Sequence, residues 1–206
     1  MLHYLYERLL EAQIAKGSLP ECIAVVLSSE DLDKDGLSRV RDLLEWSAAL
    51  GLGSLMLHID EVTPEIYSRM TDMFSQFPEE ISIHTREGVR IIGSGRNNEG
   101  IKVAISMGCG GKEEVLEAFR KLLYEVEKGA LEPEEIDEEA IESRLRFSQK
   151  PDMVIRAGGK QLSDFMIWQA AYSELYFTDV NWPAIRRIDF LRAIRDCQRR
   201  QRRFGR

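Results

Sequence analysis

The chain has 206 residues, of which 44% are hydrophobic and 31% charged, enough for one domain with a substantial core and too few for two. This excludes a disordered tail, a disulfide-stapled scaffold or a collagen-like repeat, and no apolar run approaches the ~20 residues of a membrane-spanning helix. The formal net charge of −7 averages two unlike parts: residues 186–206 hold nine arginines and two aspartates, a local +7, so residues 1–185 carry −14.

In chain order, the apolar periodicity predicts a helix over 2–16, a buried strand over 22–27 (CIAVVL) and a helix over 37–50. A strand over 54–59 (SLMLHI), a helix over 64–75 and strands over 89–92 and 101–107 follow. The clearest helix spans 112–128, where Val115, Leu116, Phe119, Leu122, Leu123 and Val126 form one stripe expected to face the core, between Gly111 and Gly129. The remaining expectations are helices over 137–144, 162–171 and 187–203 and strands over 153–156 and 175–178. Strands alternating with helices imply an α/β fold, a single domain with a central, mostly parallel six-stranded sheet flanked by helices on both faces, ending in a basic tail over 186–206. The first eight residues lack the order of a secretory signal, and Cys22, Cys109 and Cys197 show no metal spacing and suit a reducing compartment, so a cytoplasmic protein is expected.

In such folds ligands collect beyond the carboxyl ends of the strands. Three junctions stand out there: Ser28 to Gly36, Gly108-Cys109-Gly110-Gly111-Lys112, and Ala157-Gly158-Gly159-Lys160 running on to Asp164. The glycines read either as anion cradles or as tight turns, and none matches a Walker loop or a dinucleotide fingerprint. The arginine cluster reads either as a solvated helix end or as a seeker of phosphates, carboxylates or an acidic partner. Nucleic acid is not an expected partner, because the acidic body would repel it and no nucleic-acid-binding motif is visible.

Residues 151–183, which include Trp168-Gln169-Ala170-Ala171-Tyr172-Ser173-Glu174-Leu175-Tyr176-Phe177-Thr178-Asp179, closely resemble the C-terminal signature of cis-prenyltransferases, the undecaprenyl and dehydrodolichyl diphosphate synthases. The resemblance continues through Asp189-Phe190-Leu191 to Arg203-Phe204-Gly205, which looks like the family's terminal arginine-x-glycine motif. It implies a dimer that adds isopentenyl diphosphate to an allylic diphosphate with Mg²⁺. Against that family pattern the loop after the first strand departs: where active members carry Asp-Gly-Asn-x-Arg, this chain has Ser28-Ser29-Glu30-Asp31-Leu32. A serine hydroxyl does not replace a carboxylate's charge on Mg²⁺, and Glu30 with Asp31 repels a diphosphate. The stretch after the second strand is also lost, Leu57-His58-Ile59-Asp60-Glu61-Val62 standing where Phe-Ser-x-Glu-Asn-Trp is usual, with His58 read as structural. Lys112 and Lys160 replace an arginine and a glutamate of the family pattern.

Loss of catalytic residues with retained assembly features resembles the Nogo-B-receptor-type subunits of heteromeric cis-prenyltransferases. The resemblance implies that Arg203, Phe204 and Gly205 bind diphosphate in a partner's site, that Arg156 and Ser163 are the remnant of a diphosphate site, and that Glu174 stands near Mg²⁺. Trp168, Tyr172, Leu175, Tyr176, Phe177 and Trp182 are expected at the core or the dimer interface. The expected partner is a catalytic cis-prenyltransferase subunit, in a heterodimer or heterotetramer that holds the Mg²⁺ mainly on the partner, with isopentenyl and allylic diphosphates as ligands and peripheral membrane contact through the lipid product. Two alternatives stand beside this: an autonomous homodimeric enzyme whose allylic site is rebuilt from Arg96, Lys112 or Arg156, and a non-enzymatic polyprenyl-phosphate or receptor-type binding protein.

Overall fold

The computed structural model describes residues 2–93, 100–159, 161–162 and 164–200. Its elements run α1 (Leu2–Ile14), β1 (Cys22–Leu27), α2 (Lys34–Leu50), β2 (Ser54–Ile59), α3 (Pro64–Phe74), β3 (Ile81–Thr85), β4 (Gly88–Ile92), β5 (Lys102–Met107), α4 (Gly111–Glu127), α5 (Glu138–Glu142), β6 (Met153–Arg156), β7 (Glu174–Phe177) and α6 (Arg187–Arg199). One seven-stranded sheet has the order β4-β3-β5-β2-β1-β6-β7, parallel throughout except for the antiparallel β3–β4 hairpin. The expected α/β architecture stands, with one strand more than the six read from sequence. The missed strand, β3, is five residues of alternating Ile-Ser-Ile-His-Thr whose buried positions are Ile81 and Ile83, too short a pattern to register alone.

The central strands β1 and β2 are buried along their whole length, as helix cover on both faces requires. Ile23, Val25 and Leu27 of β1, with Leu55, Leu57 and Ile59 of β2, point into the larger core, where they meet Leu10 of α1, Val40 and Leu43 of α2, Phe74 of α3 and Leu191 of α6. The alternate residues Cys22, Ala24, Val26 and Met56 face a smaller core closed by Phe147, Phe165 and Met166. Each fully buried Leu or Ile side chain contributes about 1.5–3 kcal/mol.

Helix boundaries follow local chemistry. Asp33 caps α2 through a 2.7 Å bond from the Gly36 N–H, and Gly51, at φ 78°, ends it in the left-handed region. Thr63 and Pro64 start α3 in the same spirit, and Asp137 caps α5. Gly36 sits where a Cβ would come within 1.7 Å of the Asp31 carbonyl oxygen, so only glycine lets the β1–α2 loop fold back on the helix.

Two expectations need correction. Residues 162–171 form no helix among those described; Ile167 to Tyr172 are turns, and Met166 adopts φ 25° while its side chain is buried. Its tertiary position, pressed on the start of α4 where a Cβ on Gly111 would lie 2.9 Å from the Met166 and Ile167 nitrogens, overrides the local periodicity. The stripe expected to place α4 in the core is instead largely exposed: Leu116 (55%), Phe119 (42%) and Leu123 (64%) face out, and the buried face is Gly111, Glu114, Ala118 and Leu122. The smaller core is built from Phe147, Phe165 and Met166 against β1 and β2, and no side chain of α4 belongs to it among the described residues.

Candidate active-site region at the strand ends

The parallel register sets Ser106 of β5, His58 of β2, Val26 of β1 and Arg156 of β6 in one row across the sheet, one step before its carboxyl edge, and His84 of β3 extends the row. Residues aligned this way point to one face, so the fold gathers a polar row beneath the loops that follow these strands. Those loops supply Ser28 and Asp31 after β1, Asp60 after β2, the glycines after β5 and Asp164 after β6.

Arg156 is 4% exposed and its Nη1 donates a 2.8 Å hydrogen bond to the Val26 carbonyl. The same guanidinium lies 3.8 Å from Asp31 Oδ2 and 3.9 Å from Asp60 Oδ2. Asp31, itself buried, accepts hydrogen bonds at 2.8 and 2.7 Å from the Ser28 N–H and hydroxyl. His58 is buried between Ser106, whose Oγ is 3.1 Å from Nδ1, and Asp60, whose Oδ1 is 3.0 Å from Nε2, and it meets the edge of Phe165. The expected structural role of His58 matches this closed environment.

The anion-cradle candidates are likewise closed by the chain itself. In the first junction Asp33 also takes the N-terminal N–H of α2, and in the third the Gly158 and Gly159 N–H groups donate to the Val180 and Thr178 carbonyls at 2.9 and 3.0 Å. At the start of α4 the backbone carbonyl of Asp164 accepts from the Gly111 N–H at 2.8 Å and its carboxylate from the Lys112 N–H at 2.9 Å. A Cβ on Gly110 would stand 2.5 Å from the Asp164 carboxylate, so the glycine pair serves this clasp. Backbone donors at a helix start that already hold a carboxylate are not open to a phosphate.

Mg²⁺ prefers several oxygen ligands in near-octahedral geometry. Around Arg156 the positive charge between Asp31 and Asp60 is already a guanidinium, and Asp31 is turned to Ser28, so these residues do not fit a resident Mg²⁺.

A second buried polar cluster lies alongside. Glu114 of α4, 5% exposed, accepts from the backbone N–H groups of Arg146 and Phe147 and from Gln169 Nε2. Arg146 reaches the Thr85 carbonyl, Glu117 and Cys109 Sγ. Burial raises the Cys109 thiol pKa, partly offset by Arg146, and burial and then Arg146 lower that of His84. These bonds fasten α4 and the 144–147 segment to β3, and the protonated Cys109 matches the inert role expected of it.

The remaining sequence-derived candidates separate in space. Glu174 stands at the amino end of β7, paired in register with Met153 at the start of β6, and therefore at the opposite end of the sheet from Arg156. Its Oε2 is 3.3 Å from Arg200 Nη1, which also donates to the Leu175 carbonyl at 2.8 Å. Trp182, expected at the core or the dimer interface, is in the core and not at an interface: it is 1% exposed, packed in the larger core, with Nε1 donating to the Gly36 carbonyl at 3.0 Å. Tyr176 is half-buried against that core, Trp168 is half-buried and donates to Glu142, and Tyr172, Leu175 and Phe177 are exposed. Ser163, Arg203, Phe204, Gly205, Arg96 and Lys160 lie outside the described residues. Sequence reasoning missed the pairing of Asp31 and Asp60 with Arg156 and the Asp164 clasp, although the strand-end rule had pointed to their loops.

A cavity of about 430 Å³ opens between α3 and the β3–β4 turn, lined by Val62, Tyr67, Thr85, Met107 and Gly108. A groove of about 760 Å³ lies elsewhere, between α5 and the 167–172 turns, with Ile141, Trp168 and Tyr172 on its walls.

A seven-stranded, mainly parallel sheet with its polar groups gathered at the strand ends defines an α/β protein with its candidate site at the carboxyl edge of the sheet. The family model for undecaprenyl diphosphate synthase matches residues 61–205, and the chain belongs to this cis-prenyltransferase family. A tritrans,polycis-undecaprenyl-diphosphate synthase (geranylgeranyl-diphosphate specific) of Methanocaldococcus jannaschii is 34% identical, covering 98% of this chain and 88% of its own length. An isoprenyl transferase of Thermus thermophilus is 33% identical over all of this chain and 96% of its own. The archaeal match runs over 247 aligned positions against the 206 residues here, so at least 41 positions of the relative have no counterpart in this chain. Lavandulyl diphosphate synthase from Lavandula x intermedia, in complex with dimethylallyl diphosphate, shares the fold at 22% identity and a TM-score of 0.70, covering 91% of this chain and 99% of its own.

Proposed function

We propose that this chain acts in cis-polyprenyl diphosphate synthesis as a subunit whose own strand-end site does not host the condensation. In this reading it pairs with a catalytic cis-prenyltransferase that carries the Mg²⁺ and the allylic diphosphate, and completes that partner's site with its arginine-rich C-terminus. The observation that carries it is the closure of the anion-binding groups at the strand ends by acids of the same chain: Asp31 and Asp60 about Arg156, Asp33 at α2 and Asp164 at α4. A diphosphate entering there meets carboxylates where a transferase needs cations and N–H donors. The family model begins at residue 61, beyond β1 and its loop, in keeping with divergence of that first segment. Glu174 and the root of the tail at Arg200 meet at the far end of the sheet, a placement suited to action on another subunit. The outward apolar face of α4 and the exposed Tyr172, Leu175 and Phe177 offer surface for that subunit.

The relatives favour a second reading. They are named as a synthase and a transferase and not as accessory chains, which supports an autonomous enzyme formed by two copies of this one, acting on isopentenyl diphosphate and an allylic diphosphate such as geranylgeranyl diphosphate. Incorporation of labelled isopentenyl diphosphate, with Mg²⁺ and geranylgeranyl diphosphate, separates the two. The purified chain alone should incorporate none, and a mixture with a cis-prenyltransferase of the same cell that keeps the Asp-Gly-Asn-x-Arg loop should be active. Turnover by the isolated chain establishes the second reading and removes the first.

A further inference from the structure

Two cavities that the strand-end site does not use share a residue at the amino end of the sheet. The groove of about 760 Å³ between α5 and the 167–172 turns has an apolar wall of Ile141, Ile167, Trp168 and Tyr172, of which Ile167 and Tyr172 are 48% and 62% exposed, and it carries the acids Asp137, Glu138 and Glu142. It extends over Pro151 to Asp152, just before β6. Asp152 also lines a second cavity, of about 480 Å³, together with Glu21, Gln198 and Arg200. Among the described residues, five acids line the pair of cavities against two cations: Lys150, bonded to Glu142, and Arg200, bonded to Glu174 and Asp196.

Helix α6 delivers the chain to this place. Arg200 ends the helix with extended backbone, at φ −78° and ψ 133°, and the sequence continues Gln201-Arg202-Arg203-Phe204-Gly205-Arg206. Six extended residues reach about 20 Å, and in an extended chain Arg202, Phe204 and Arg206 share one side. That side is an aromatic ring between two guanidiniums.

We propose that in the free chain residues 201–206 dock in this chain's own groove, with Phe204 against Trp168 and Tyr172 and with Arg202 and Arg206 on the acids to either side. Guanidinium groups pair with carboxylates and stack on aromatic faces, whereas a phosphate or an anionic lipid is repelled by the same acids. A segment tethered at the wall of the groove competes at an effective concentration of about a millimolar, which favours it over a free arginine-rich peptide. Docked there, the terminus is withheld from a diphosphate until an assembling subunit draws it out. This consequence, and not the docking itself, rests on the proposed function.

The full chain with isotope-labelled tryptophan reads the docking through the indole N–H of Trp168, assigned by Trp168→Phe. Phe204→Ala, and separately Arg202→Glu/Arg206→Glu, should move the Trp168 signal and leave that of Trp182, which is buried in the larger core, where it is. In Glu138→Lys/Tyr172→Ser, tryptic cleavage after Arg203 should be about tenfold faster than in the unsubstituted chain, the protection given by a tail docked about nine-tenths of the time, with an unchanged thermal transition. A Trp168 signal indifferent to both tail variants overturns the proposal, as does cleavage at an unchanged rate. A signal that moves on dilution to its Phe204→Ala position assigns the terminus to the groove of a second copy and overturns docking within one chain. None of these readings uses turnover, so their failure leaves the proposed function standing, and an inactive mixture with a catalytic subunit leaves the docking standing.

Discussion

Arg156, expected from the resemblance to be the remnant of a diphosphate site, is tied into the fold. In a diphosphate site its guanidinium would wait for a substrate; here it is buried, holds the Val26 carbonyl and stands between Asp31 and Asp60. Removing one member of a buried charged group strands the others, at a cost of about 3–5 kcal/mol. Arg156→Ala should therefore lower the free energy of urea unfolding by about 3 kcal/mol, and a change within 0.5 kcal/mol, typical of a surface substitution, would show that the arginine is not a structural tie. His84 gives the chain a pH dependence. Burial, with Arg146 beside it, lowers its pKa in the folded state below the ordinary 6.5. Above that value both states hold the neutral ring and stability is at its full level. As the pH falls from about 6.5 through the folded-state pKa, the unfolded chain binds the proton first, so stability declines. His84→Gln should flatten this part of the urea-midpoint profile between pH 7.5 and 5.5, while an unchanged slope would assign it to other groups.

At the scale of elements, α4 and the segment after β6 determine each other. The Asp164 clasp and the Gly110–Gly111 pair bring residues 164–167 onto the start of α4, and Phe165 and Met166 join the smaller core. Phe119 and Leu123 are left facing outward. Paired substitution Phe119→Lys/Leu123→Lys should leave the unfolding free energy of the single chain within about 0.5 kcal/mol and weaken its association with the proposed catalytic subunit tenfold or more, as measured by analytical ultracentrifugation of the mixture. Association of undiminished strength would place the subunit interface on another surface.

For the molecule as a whole, charge and topology separate two ends. The carboxyl edge of the sheet carries acids that close its own cradles, while the amino end of β7 holds Glu174 beside Arg200, from which the arginine-rich terminus departs. If that terminus donates guanidinium and N–H groups to a partner's diphosphate, deletion from Arg203 onward should reduce turnover of the mixed complex by about 10²-fold or more without dissolving it, since donors of this kind contribute on that scale. An unaltered rate would exclude the terminus from the reaction.

Much of this was legible in the chain itself. The buried runs of β1, β2, β5 and β6 are local patterns, and the alternation of strand and helix follows from them, although the expected start of α2 at 37 missed the Asp33 cap that begins it at Lys34. The strings from Trp168 to Asp179 and from Arg203 to Gly205 pointed to the family, and Ser28 stands where the resemblance leads one to expect an aspartate. Other features depended on long-range contact. Arg156 meets Val26 across 130 residues, and Asp164 reaches Lys112 across 52. Trp182 reads as an aromatic of the core or of an interface until Gly36, 146 residues away, is found to accept its N–H. Periodicity shows that a helix has an apolar face, as in 112–128, but what that face meets depends on the volume other segments have already filled. That is a property of the packed interior and not of any local stretch of chain.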